Sequence, residues 1–247
     1  MVHGLIFAAG LGTRLKPLTD RMPKALVPLA GKPLLQWQVE KLRDAGITDI
    51  IVNVHHFPDM IIDTIRANQG WNCNIAVSDE REMLLDTGGG LKKIKNEKLK
   101  IINEPILACN VDILSNIDLR ALISTYERTG VSQLVVSKRE TQRYLCFDEK
   151  DRLCGWTNIK TGEVRPNNGA WTKENTQLLA FSGMQILSPD VLAMLDTMKE
   201  DKFSLIDFYL SICEKAELKA FVPNDYRMMD VGKIDQIEEA EIFAESL

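Results

Sequence analysis

Cysteine and histidine are sparse in this chain and are nowhere arranged for metal binding. The five cysteines, at 73, 109, 146, 154 and 213, form no Cys-x-x-Cys pair, and the three histidines do not cluster with them. That excludes the common zinc patterns, and an odd number of scattered thiols in 247 residues points to a reducing compartment. No run approaches the roughly 18 apolar residues of a membrane span. Met1-Val2-His3-Gly4 leads directly into an apolar stretch with no basic segment ahead of it, so no signal peptide is expected either. Charge of one sign is also scarce: 35 acidic and 30 basic residues leave a formal net charge of −5. Such a chain is poorly suited to wrapping nucleic acid, although a local group of basic side chains and backbone N–H groups can still hold an anion. Two familiar phosphate loops are missing as well. G-x-G-x-x-G would require glycine at Leu15, and the Walker pattern fails because Gly31-Lys32 is followed by Pro33. The expectation is a soluble cytoplasmic protein with no nucleic-acid or membrane partner.

What is present is ordinary globular material, 45% hydrophobic and 26% charged, enough for one large α/β domain. Strand patterns at Val2–Ala8, Asp49–Val54, Asn74–Val77, Pro105–Cys109 and Ser132–Val136 alternate with helical ones. The helices are expected at Leu34–Ala45, which Gly46 ends, and at Met60–Ala67, Leu91–Ile94 and Leu119–Tyr126. Repeated β-α-β units imply a mainly parallel sheet with helices on both faces. Beyond Ser137 the pattern changes. Tyr144–Asp148 and Arg152–Trp156 read as a hairpin, Thr157–Thr176 as a long polar loop, and Leu178–Leu187 as a strand. Pro189–Leu195 and Leu205–Lys215 read as helices, Leu218–Val222 and Arg227–Val231 as strands, and Ile234–Ala244 as a closing helix. No linker, repeat or low-complexity tract appears, and no hexapeptide repeat suggests an appended β-helix. One domain over 1–247 is expected, in two parts, 1–137 and 138–247.

The first chemical motif runs Ala8-Ala9-Gly10-Leu11-Gly12-Thr13-Arg14 and continues to Pro23-Lys24. It starts where the first strand ends, the ligand-binding edge of an open α/β sheet. Glycines let backbone N–H groups approach phosphate closely. Arg14 can grip a triphosphate with its fork of donors, and Lys24 can add a point charge. Lys16 and Arg21 read as surface charges. This stretch resembles the opening of the sugar-1-phosphate nucleotidyltransferases, most closely their N-acetylmuramate-1-phosphate uridylyltransferase branch. The resemblance covers nearly the whole chain and is weakest between about 138 and 177.

The resemblance implies a Rossmann-like α/β fold, an open mixed and mainly parallel sheet flanked by helices, with a small β-rich acceptor-binding insertion. It implies an enzyme of nucleotide-sugar and, for that branch, cell-envelope biosynthesis that requires Mg²⁺. It makes Ala8, Ala9, Gly10, Gly12 and Thr13 the nucleotide loop. In Asp86-Thr87-Gly88-Gly89-Gly90, residues Thr87, Gly88 and Gly89 match an element that faces the base. Asp112 and Asp230 each follow an apolar strand, and Mg²⁺ commonly takes one or two carboxylates with phosphate oxygens and water. The resemblance makes both of them metal ligands, with Arg14, Lys24 and Asp112 catalytic. The family usually has glycine before the first aspartate, where this chain has Val111, a residue placed to crowd the ribose or alter the loop.

On the acceptor side, Phe181-Ser182-Gly183 resembles the sugar-facing Phe-Ser-Gly of the family, and Lys202-Phe203 lies where the branch carries Phe-Lys-Leu. Phe181, Gly183 and Lys202 are therefore sugar-binding candidates. Lys160, Glu163, Arg165, Asn167, Asn168 and Trp171 are further polar or aromatic residues of the long loop. Of His55 and His56, one is expected buried and the other solvated, with neither a general base.

The implied reaction is in-line attack of a sugar 1-phosphate oxygen on the α-phosphorus of an NTP. A phosphate monoester is already ionised near neutral pH, so no nucleophilic side chain is needed, and none of the triad motifs is present. UTP with an N-acetylmuramate-like 1-phosphate is the leading pair. GTP with mannose or heptose 1-phosphate, and dTTP with glucose 1-phosphate, share the same front loop. An inactive nucleotide-sugar-binding regulator, or a glycosyltransferase, remains open. A glycosyltransferase would usually carry Asp-x-Asp where this chain has Asn110-Val111-Asp112.

Overall fold

The computed structural model describes residues 1–97, 103–166 and 175–247. Strand β1 (His3–Phe7) runs into a loop that contains a small hairpin, β2 (Pro28–Leu29) and β3 (Lys32–Pro33). Helix α1 (Leu34–Asp44) returns the chain to β4 (Asp49–Val54), and α2 (Pro58–Ala67) leads to β5 (Asn74–Asp79). After α3 (Asp86–Asn96) the chain enters β6 (Ile106–Asn110), now on the opposite side of β1. β1 pairs in parallel with both β4 and β6, so the strand order reverses beside it. The crevice outside the carboxyl ends of β1 and β6 is therefore the topological switch point, where α/β sheets bind ligands.

The second half reinforces that crevice. β6 turns through Asp112 into β7 (Ile113–Ser115), followed by α4 (Leu119–Thr129) and β8 (Ser132–Ser137). Next come the hairpin β9 (Arg143–Phe147) and β10 (Leu153–Asn158), then β11 (Glu163–Arg165), which pairs with β10 inside the stretch expected to be loop. The long strand β12 (Gln177–Leu187) joins two regions. Its end is antiparallel to β6, and its beginning pairs with β9. The result is a mixed sheet with a smaller β-rich extension. The chain closes with α5 (Pro189–Ala193), α6 (Leu205–Ile212), β13 (Leu218–Phe221) beside β8, β14 (Met228–Asp230) and α7 (Ile237–Glu245). No described helix is long and apolar enough to cross a membrane.

Side-chain alternation explains the unbroken apolar strands, because the central strands are covered on both faces. Ile6, Val52 and Leu107 pack against Leu35, Val39 and Leu42 of α1 and against Leu122 of α4. Leu5, Phe7 and Ala108 point the other way, toward Leu91 and Ile94 of α3 and Phe208 of α6. Truncating one such leucine to alanine is expected to cost about 2–5 kcal/mol.

The expected elements are present, with shifted ends. Arg227–Val231 contributes only Met228–Asp230, and these residues pair with β7 outside the main sheet. The helix expected over Leu205–Lys215 stops at Ile212. The largest shift is in α3, which starts at Asp86 where sequence pattern suggested Leu91, so all three glycines lie inside it. Glycine is a poor helix former, but close packing against the segment around Phe203 overrides that preference.

Candidate active site

The glycine loop is fixed at both ends. Ala8 N donates to the buried Asn53 Oδ1 at 2.7 Å, and Val111 N donates to Phe7 O at 3.1 Å, which ties the ends of β1 and β6 together. Gly12 has φ of +63°, and a Cβ there would lie 2.8 Å from Thr19 Cγ2 and 3.0 Å from Lys24 Cβ. Both the left-handed turn and the tight fit require glycine. Its carbonyl accepts from Leu15 N at 2.8 Å and from Thr19 Oγ1 at 2.9 Å. Buried Leu15 anchors the turn that presents Arg14. Ala25 and Val27, both buried, hold the turn that starts at Lys24.

Asp112 and Asp230 are distant in sequence and meet through the β7–β14 ribbon. Asp230 pairs with Ile113, and Val231 N donates to Asp112 O at 2.9 Å. Lys24 Nζ forms an ion pair with Asp112 Oδ2, and the lysine is only 8% exposed. Arg14 lies 3.8 Å from Asp230 Oδ2. Burial and then the charge of Asp112 hold the Asp230 carboxyl above its ordinary pKa, opposed by Lys24 and Arg14. From behind, α1 grips the ribbon. Gln38 Nε2 donates to Ile113 O at 2.7 Å, and the Lys41 ammonium bonds Ser115 O and Oγ. Burial lowers the Lys41 pKa to about 8.

The two carboxylates are near enough to influence each other's ionisation and offer hard oxygen ligands. Among the described residues no group of three or more His, Cys, Asp or Glu could hold a metal. A two-carboxylate site completed by phosphate oxygens and water fits Mg²⁺ and does not fit zinc.

The glycine loop, Arg14, Lys24 and Asp112 share a cleft of about 480 Å³, within the range of small-ligand sites. Of the residues singled out from sequence, Ala9, Gly10, Gly12 and Thr13 line it, as do Arg14, Lys24 and Asp112. Thr87 and Lys202 line another part of its wall. Ala8 acts from behind, through Asn53. Asp230 stands beside Arg14 and next to the lining residue Gly232. Gly88 and Gly89 do not line the cleft, because their N–H groups bond Phe203 O at 3.0 and 3.1 Å. Phe181 and Gly183 do not line it either. Phe181 O accepts from Arg139 Nη2 at 2.9 Å, and Gly183, with φ of +67°, reaches the cleft only by lying against the Asn110 carboxamide. Val111 lines the cleft but is 4% exposed, its side chain mostly within the apolar cluster of Leu114 and Ile117.

Sequence reasoning missed Asn53, Asn110, Asp86 and Gly232 on the cleft wall. It also missed Glu80, which is buried and accepts from Asn53 Nδ2 at 2.7 Å and Leu85 N at 3.1 Å. Burial raises the Glu80 pKa. The one available signal was Asn53, a polar residue inside the apolar run of β4. His55 and His56 share one environment. Both are partly buried, and their rings bond the backbone carbonyls of Glu80 and Thr19 at 2.7 and 3.0 Å. Lys16 pairs with Asp20 on the surface at 2.9 Å. Arg165 bonds Asp207 Oδ1 at 2.6 Å and covers Trp156, with its guanidinium 4.6 Å from the ring centroid. Asn167, Asn168 and Trp171 lie outside the described residues.

Fold and site together define an α/β protein with a glycine loop, an arginine, a lysine and a carboxylate pair gathered at its switch point. The chain belongs to the nucleotidyl transferase family, whose model matches residues 3–246. N-acetylmuramate alpha-1-phosphate uridylyltransferase of Caulobacter vibrioides is 32% identical over 202 residues, 76% of each chain. Mannose-1-phosphate guanyltransferase of Saccharomyces cerevisiae is 29% identical over 235 residues, covering 94% of this chain and 62% of its own length. The structure of HddC from Yersinia pseudotuberculosis complexed with GMP-PN shares the fold, with a TM-score of 0.75 at 24% identity over 99% of this chain and 100% of that one.

Proposed function

We propose that this chain transfers a nucleoside monophosphate from an NTP to a sugar 1-phosphate, releasing pyrophosphate, with UTP and an N-acetylmuramate-like 1-phosphate as its substrates. The observation that carries the reaction class is the meeting of Arg14, Lys24 and Asp112 at one cleft, with Asp230 beside Arg14 at its edge. The substrate pair rests on the uridylyltransferase likeness, which extends over 76% of both chains.

The glycine loop and Arg14 would bind the triphosphate. A sugar 1-phosphate oxygen attacks the α-phosphorus, a new P–O bond forms there, and the bond to the β-phosphate oxygen breaks. The monoester arrives ionised, so no proton has to be removed by a side chain. Charge appearing on the leaving pyrophosphate is met by the Arg14 and Lys24 cations. Catalysis is then mostly positioning and charge compensation in a partly enclosed site. Asp112 and Asp230 would hold Mg²⁺, which when bound supplies charge neutralisation to the phosphates. Gln38 and Lys41 keep the ribbon carrying these aspartates in register.

A guanylyl-transfer reading has its own support. The yeast mannose-1-phosphate guanyltransferase aligns with 94% of this chain, and the fold is shared with a protein solved with GMP-PN. Incubation with Mg²⁺, each of four NTPs and a panel of sugar 1-phosphates separates the readings. Pyrophosphate release restricted to UTP and the N-acetylmuramate-like acceptor supports the first reading, and release restricted to GTP supports the second. Tight nucleotide-sugar binding with no release from any pair would mark a regulator and overturn both.

A further inference from the structure

Thr87, Gly88 and Gly89 open α3, where free backbone N–H groups normally await a capping group or an anion. Here Thr87 N donates to Asp86 Oδ1 at 2.6 Å, and the two glycine N–H groups are engaged by the segment before α6. Phe203 O accepts from Gly88 N and Gly89 N, Phe203 N donates to Leu85 O at 3.3 Å, and Leu205 N donates to Thr87 Oγ1 at 3.0 Å. Neither glycine has a positive φ, so neither is needed for a turn. Each is needed for space. A Cβ at Gly89 would overlap the Asp201 carbonyl oxygen, and one at Gly88 would overlap the Phe203 ring and lie 2.9 Å from its carbonyl oxygen.

The same segment is tied down on either side. Lys92 Nζ donates to Met198 O at 2.9 Å and Glu200 O at 3.3 Å. Ser204 and Asp207 form a capping box at the start of α6, and Arg165 from β11 bonds Asp207. Phe203 is buried in the core. Between these anchors Lys202 is exposed and lines the cleft that holds Lys24 and Asp112.

We propose that the glycine pair of α3 is a seat for residues 201–205, and that the seat holds Lys202 in the cleft as the cation that binds the phosphate of the sugar 1-phosphate. This inference rests on the nucleotidyl-transfer reading. Arg14 and Lys24 already supply cations for the triphosphate from the β1 side. A lysine ammonium suits a phosphate monoester as a compact point charge. Anchoring the backbone on both sides of Lys202 removes much of the ordering cost that binding would otherwise carry. On this account Gly88 and Gly89 are positioning residues for the acceptor and do not form a surface for the base.

The test compares the wild type with Gly89→Ala, Lys202→Met and Lys202→Arg, varying each substrate in turn. Alanine is the better helix former, so Gly89→Ala leaves α3 intact and acts on the seat. Gly89→Ala and Lys202→Met are expected to raise the sugar 1-phosphate KM about 10–100-fold, the value of one charge-assisted hydrogen bond. The NTP KM stays within about twofold of wild type on that scale, and Lys202→Arg recovers most of the loss. Hydrogen exchange of residues 199–205 accelerates in Gly89→Ala, while equilibrium NTP affinity does not change. A Gly89→Ala protein whose loss falls on NTP affinity, or a Lys202→Met protein with an unchanged sugar 1-phosphate KM, would overturn the proposal. A wild type with no turnover on any substrate pair would refute the functional reading instead. The seat is then judged by exchange, and unchanged protection in Gly89→Ala refutes it.

Discussion

The losses from breaking the Lys24–Asp112 pair from each side should add up to more than the loss from removing both charges together. The two side chains are 9% and 19% exposed, far more enclosed than a surface ion pair. Removing one member of a buried pair typically costs about 3–5 kcal/mol, because the other charge is left desolvated without a partner. The residual exposure of Asp112 puts Lys24→Met near the lower end, about 3 kcal/mol. Asp112→Asn keeps shape and hydrogen bonding and should cost about 1–2 kcal/mol. In the double variant no unpaired charge remains, so its loss should fall short of the sum of the singles by about 2 kcal/mol. Urea unfolding of the four proteins reads this directly from midpoints at constant m-value. Each single variant should also lose activity on the order of 10²–10³-fold, as when one preorganised electrostatic contact is removed. The double should fall little below the worse single, since the two groups act in one constellation. Strictly additive stabilities would show that the pair is not coupled and would refute the reasoning.

Gly12→Ala forces a side chain into a left-handed turn at a cost of about 1–2 kcal/mol, and its Cβ meets Thr19 and Lys24. A lower Tm together with a raised NTP KM is expected, and an unchanged KM would show that the loop does not hold the nucleotide. Glu80 has a pKa raised by burial, so the folded protein binds more protons than the unfolded chain between the ordinary carboxyl pKa and the raised one. Its contribution to stability therefore falls as pH rises through that window. Glu80→Gln should remove that slope and add a roughly constant loss of about 1–2 kcal/mol, because Asn53 Nδ2 and Leu85 N donate to different carboxylate oxygens and glutamine replaces one of them with an NH₂ donor. Denaturation midpoints measured across pH check both effects, and a persisting slope would assign it to another group. EDTA should abolish pyrophosphate release and added Mg²⁺ should restore it. Full activity in EDTA would remove the metal from the account.

The parts of the site that were legible in sequence share a physical reason. The unbroken apolar run of β1 ending at Gly10 and Gly12, followed by Arg14 and Lys24, marks a buried strand that opens onto a glycine loop flanked by cations. Nothing local connects Asp112 with Asp230. Their meeting depends on the β7–β14 register; the sequence pattern puts each at the end of an apolar strand on the ligand edge, and the family resemblance pairs them. The start of α3 was misplaced because three glycines argue against helix in isolation, and the packing of Phe203 that reverses the balance lies over a hundred positions away in the chain. The same distant packing takes up the Gly88 and Gly89 N–H groups, which the family resemblance places facing a base. Asn53 and Glu80 gave little signal, because a lone polar residue in a strand does not reveal which backbone groups it will satisfy. Phe181 and Gly183 sit on β12, where a bulge between Phe181 and Gln185 sets their orientation, and bulges leave no periodicity to read.

The central claim is tested most directly by phosphorus NMR of one reaction mixture containing UTP, the N-acetylmuramate-like 1-phosphate and Mg²⁺. The account predicts that the UTP α-phosphorus and the acceptor phosphorus pass together into a nucleotide-sugar diphosphate, with one pyrophosphate formed per turnover, and that the Asp112→Asn protein, still folded, makes almost none. A folded Asp112→Asn protein that turns over at the wild-type rate would contradict it. So would a wild type that leaves every combination of NTP and sugar 1-phosphate unchanged.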